Sequence, residues 1–87
     1  MITETFYKRF ATEMCNVGRE TRPLSDEEYS YMMGLIKGAY LWGNITQKDH
    51  EDICDMFDEL NQGNPRYIDY IHAVRDLMTK QREVVEV

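Results

Sequence analysis

The stretch SDEEYSYMMGLIKGAYLW, residues 25–42, decides how the rest of the chain is read. Between Tyr29 and Trp42 its only clearly polar side chains are Ser30 and Lys37. At about 100° per residue, Tyr29, Met32, Met33, Ile36 and Tyr40 form one apolar stripe of a helix. Tyr31, Gly34, Gly38, Leu41 and Trp42 fall on the other side. A helix apolar all round is a buried one, so this segment is expected at the centre of the fold with partners on two faces. Its start is well marked: Ser25 with Glu28 makes a capping box, Leu24 and Tyr29 can close a hydrophobic staple, and Asp26, Glu27 and Glu28 favour the positive helix end. Gly43 supplies the left-handed residue that closes it.

Downstream, only Asn44 and Ile45 separate Gly43 from a second capping box, Thr46 with Asp49, with Ile45 in the staple position. So short a link makes the second and third helices neighbours. The third runs from about Thr46 to Gln62, with His50, Ile53, Phe57 and Leu60 inward, Cys54 and Met56 beside them, and Gly63 as its stop. Asn64 and Pro65 read as a cap and a first helical residue of a fourth helix reaching about Arg82. Tyr67, Ile68, Ile71, Val74, Leu77 and Met78 form its wide apolar face. Upstream, Phe6, Phe10, Met14 and Val17 give a first helix, Thr3–Val17, stopped by Gly18 and followed by a polar linker ending in Pro23 and Leu24. The expected architecture is all-α: one domain over residues 1–83, about four helices, a buried central second helix, and a short 84–87 tail that frays, extends the helix or pairs as an edge strand. Gly34 and Gly38 each cost about 1 kcal/mol against alanine inside a helix. Close approach of another helix is the expected compensation, from the same chain or from the second helix of another copy.

Eighty-seven residues, 43% of them hydrophobic, suffice for a modest core. Sixteen Asp and Glu against ten Lys and Arg leave a net charge of −6. That sign disfavours direct nucleic-acid or anionic-membrane binding and suits a protein partner with a basic surface. The N-terminus has no signal-peptide pattern, and no apolar run approaches a membrane span of about 18 residues. A reducing cytoplasm with Cys15 and Cys54 as free thiols is the expectation, a single disulfide between them being the alternative.

Neither a metal nor a cofactor is expected. His50 and Cys54 share a helix face and could meet Cys15 and His72, but no pair has C-x-x-C or H-x3-H spacing. An EF-type reading from Gly38 fails because Gly38, Tyr40 and Trp42 occupy positions that need oxygen ligands. No nucleophile–base arrangement is legible, so the chain is not expected to be an enzyme. A helix-turn-helix regulator is a rival reading. Its recognition helix would be the third, where Asn44, Gln47 and Lys48 suit DNA, but the remaining surface is acidic.

That acidic surface is the candidate site. With Ile53 inward, Glu51, Asp52, Asp55, Asp58 and Glu59 gather on the opposite side, with Lys48 at one edge. Glu51 and Asp55 lie about 6 Å apart along the axis, which approximates phosphate spacing along a nucleic-acid strand. The bland reading is a solvated helix exterior. The functional one is a mimic of nucleic acid that occupies a basic groove of a nucleic-acid-binding effector. A competing interface is the Tyr31, Gly34, Gly38 and Leu41 face, as a homodimer or adaptor contact.

Through Leu41, Gly43, Ile45, Thr46 and Ile53, the junction LWGNITQKDHEDI resembles the helix–G-x-I-T–helix hairpins of small bacterial and phage proteins, including the short C-terminal oligomerisation type. Where that type has Glu and then an aromatic, this chain has Asp49 and His50. In general character the chain also resembles accessory products of prophages and mobile elements, anti-CRISPR-type inhibitors among them. This second likeness implies an inhibitory role and transfers no residue assignments.

Overall fold

Each helix begins where a side chain can satisfy backbone N–H groups that have no partner within the helix. In the computed structural model, which describes residues 1–17 and 22–86 with side chains through Gln81, these are α1 (Glu4–Val17), α2 (Asp26–Leu41), α3 (Gln47–Asn61) and α4 (Tyr67–Glu86). The Thr3 hydroxyl accepts from the Phe6 N–H at 3.1 Å. Both capping boxes form as expected. Ser25 and Glu28 exchange bonds at 3.2 and 2.9 Å, and Thr46 and Asp49 at 3.1 and 3.0 Å. The Gly18 stop lies outside the described residues.

Gly43, at φ +79°, reverses the chain after α2, with Asn44 donating to the Ala39 carbonyl at 2.8 Å and Gly43 to that of Tyr40 at 3.0 Å. This paired closure is a Schellman turn. It brings Ile45, only 3% exposed, down into the core. After α3 the left-handed residue is Asn64, at φ 57°, and not Gly63. The expected Asn64–Pro65 helix start is therefore displaced. α4 opens at Tyr67, and the Asp69 carboxylate caps it by accepting from the Arg66 N–H at 2.7 Å. At its other end α4 extends through Glu86, so the tail's backbone continues the helix to that point.

The four helices form a ring. α1 packs on α2, α2 on α3, α3 on α4, and α4 back on α1, while the diagonal pairs make no backbone approach among the described residues. Side chains cross the middle instead. Phe57 of α3 meets Phe10 of α1 edge-on at 6.0 Å between centroids, Tyr29 of α2 at 6.0 Å, and Tyr70 of α4 at 4.6 Å. Such aromatic pairs add to the burial of a large apolar surface.

The enclosure expected for α2 is not found. Only Met32 and Ile36 are fully buried on it, while Tyr31, Leu41 and Trp42 are 49, 70 and 86% exposed. A ring gives every helix two neighbours and an outer face, and no described element covers the outer face of α2. Close approach at the glycines is absent too. A Cβ added at Gly34 or Gly38 meets nothing within 4 Å.

Candidate functional site

The α3 face is set by the residues that turn inward. Ile53 and Phe57 are fully buried, and with Asp49 they occupy one line at four-residue spacing. Glu51, Asp55, Asp58 and Glu59 are exposed on the other side of the helix, and Asp52 is half-buried at its margin. Among the described residues, a Lys or Arg nitrogen comes within 4.0 Å of just one of these five carboxylates: Lys48 lies 3.6 Å from Asp52. Gln47 donates to Glu51 at a long 3.4 Å. Asp58 accepts the Tyr29 hydroxyl at 2.7 Å. Burial and this bond to Asp58 push the Tyr29 pKa up to about 12. Asp58 therefore has a structural duty between α2 and α3, whereas Glu51, Asp55 and Glu59 face solvent without a cation from the described residues.

The second candidate face lies where the side chains of Gly34 and Gly38 are missing. Between α1 and α2 a cleft of about 710 Å³ opens over Phe6 and Phe10, with Arg9 on one rim and Trp42 on the other. Leu41 and Tyr31 extend the exposed apolar surface of α2 beyond the cleft. Tyr31 is tied back to α1 by a bond from its hydroxyl to Glu13 at 2.6 Å.

Asp49 stood out in the sequence chiefly as a capping residue, yet its carboxylate gathers groups from three parts of the chain. The residue is 2% exposed. It receives the Met1 ammonium at 2.7 Å, the Gln81 amide at 2.5 Å and the Thr46 N–H at 3.0 Å. The Gln81 carbonyl oxygen in turn accepts the Ile2 N–H at 2.6 Å. Burial alone would raise the Asp49 pKa, but the ammonium, Thr46 and Gln81 outweigh it and hold the carboxyl below its ordinary value. The available signal was position, since Asp49 lies one turn before Ile53 on the inward line.

The residues weighed for metal binding are dispersed. Cys15 and His72 are exposed, while the Cys54 sulfur lies 3.7 Å from Nε2 of half-buried His50. Among the described residues no group of three or more His, Cys, Asp or Glu could hold a metal ion. His50 stacks on Tyr40 with centroids 5.2 Å apart. Burial, then the Asp58 and Asp55 carboxylates, push the Cys54 thiol pKa up, the wrong direction for a nucleophile.

No helix of the described residues is long and apolar enough to cross a membrane. Among known proteins, no family model, no curated sequence and no solved structure matches the chain.

Proposed function

We propose that the chain is a small cytoplasmic protein-binding module, and not an enzyme. Its α3 carboxylates mimic a nucleic-acid strand and occupy the basic groove of a nucleic-acid-binding protein, as an inhibitor from a phage or other mobile element does. The observation that supports this reading is the set of exposed carboxylates at Glu51, Asp55 and Glu59 with no lysine or arginine nitrogen of the described residues within 4.0 Å. A solvated exterior commonly carries mixed charge, and an uncompensated row raises the local potential that steers a basic partner. Asp52 and Asp58 border this row. The same sign makes α3 a poor helix-turn-helix reader, since it would face phosphates with carboxylates.

The test is affinity capture from the host lysate with the native chain and with a Glu51→Lys, Asp55→Lys, Glu59→Lys variant. Asp58 is left intact because it holds Tyr29. The expected result is a captured nucleic-acid-binding protein that excess duplex DNA displaces and that the variant, still helical by circular dichroism, fails to retain. Equal capture by the variant, or indifference to DNA, overturns the reading. Salt-sensitive binding of DNA by the chain itself would favour the helix-turn-helix regulator instead.

A second reading draws on the open face of α2. Leu41 and Trp42 are 70 and 86% exposed beside glycines with free space above them, which suits a homodimer seam. Sedimentation at micromolar concentration should then show a dimer, and Gly34→Leu should dissociate it. A native monomer removes this alternative.

A further inference from the structure

We propose that the α1/α2 cleft is a binding site for a small amphipathic carboxylate, a molecule with an apolar body and a single anionic head. The proposal is independent of the α3 reading, because the cleft shares no residue with the acidic face. Its volume, about 710 Å³, falls within the range typical of small-molecule sites. The space exists because Gly34 and Gly38 present no side chain where α1 and α2 run side by side, so the phenyl rings of Phe6 and Phe10 form an apolar floor. Among the described residues no Asp or Glu lines the cleft, although the chain carries a net charge of −6.

Among the described residues the one charged member of the lining is Arg9. Its guanidinium makes no ion pair or hydrogen bond among the described residues, and Glu13, one turn along α1, accepts from Tyr31. A cation without an internal partner beside an apolar floor matches an anion joined to a hydrocarbon or aromatic body. From Gly34 to Trp42 the helix rises about 12 Å, enough to lie along an extended medium-chain acid. Trp42, 86% exposed on the rim, would be covered when the cleft fills.

Trp42 is the sole tryptophan, so its emission reports occupancy directly. The experiment titrates the protein with decanoate below its micellar concentration, with decanol as the uncharged control, and follows Trp42 fluorescence. A saturable blue shift with decanoate is expected. Decanol should bind at least about tenfold more weakly, Arg9→Gln should weaken decanoate by a similar factor, and Gly38→Leu should abolish the shift. Circular dichroism checks that both variants stay folded, and a Cβ at Gly38 meets nothing within 4 Å. The proposal is overturned if decanoate gives no saturable shift, if decanol binds equally well, or if Arg9→Gln changes nothing. It is equally overturned if Trp42 emission moves with protein concentration alone, which would place a second copy of the chain on the cleft.

Discussion

At the scale of single residues, two side chains carry a disproportionate share of the fold. Phe57 touches an aromatic ring from each of the other three helices and is fully buried. Phe57→Ala should cost about 3–5 kcal/mol, a large part of what a domain of this size has, read as a loss of urea midpoint. Asp49 is the second. Asp49→Ala strands the Met1 ammonium, the Thr46 N–H and the Gln81 amide, for a loss of about 2 kcal/mol. Because Gln81 and Asp49 are bonded, Gln81→Ala in the Asp49→Ala background should cost less than it does alone. The pH dependence has a definite sign. Asp49 and Glu28 are both held below the ordinary carboxylate range, Glu28 chiefly by the Arg22 guanidinium, whose two nitrogens each reach it at 2.8 Å. Groups depressed in the folded state contribute stability above their unfolded pKa, about 4, and lose it as pH falls. Thermal melts should therefore be flat near neutrality and decline below about pH 4, more gently in Asp49→Ala.

At the scale of elements, what the sequence made legible was where helices begin. Ser25–Glu28 and Thr46–Asp49 were readable because a capping box is a local device, complete within four residues. The start of α4 was not, because Asn64 went to the left-handed reversal after α3 and Asp69 took over the cap. The inward stripes of α1 and α3 followed in part from periodicity: Phe6, Phe10, Met14, Ile53 and Phe57 are buried, while Val17, His50 and Leu60 are half-buried and Asp49, outside the expected stripe, is buried. Periodicity misled for α2. Its apolar residues do surround the helix, but apolarity records what could be covered and not what the rest of the chain covers. The glycines there give a sharp prediction. In the free chain, Gly34→Ala meets no neighbour within 4 Å and removes a residue of poor helix propensity. It should stabilise the protein by up to about 1 kcal/mol. Thermal denaturation would register that as a rise of a few degrees, and a fall would show that the position is covered after all.

At the scale of the whole molecule, the short α2–α3 link made those helices neighbours on sight, while the return of α4 onto α1 could not be read. Ring closure depends on contacts between residues far apart in sequence, such as Ile2 with Gln81, for which a single sequence carries no pattern. The acidic row on α3 was legible as a face, and that no lysine or arginine of the described residues pairs with Glu51, Asp55 or Glu59 became visible only with the neighbouring helices in place. Binding through that row is long-range and screened by ions. Raising salt from about 0.05 to 0.5 M should slow association with a basic partner markedly while leaving the helical content unchanged.

The two thiols stand in unlike surroundings: Cys15 is open to solvent on α1, and Cys54 is partly covered beside carboxylates on α3. Alkylation by a maleimide at neutral pH should accordingly be biphasic, with one equivalent consumed quickly at Cys15 and the second released by denaturant. A dye or cross-linker can thus be installed at one defined place without mutagenesis, on a different helix from the carboxylate row.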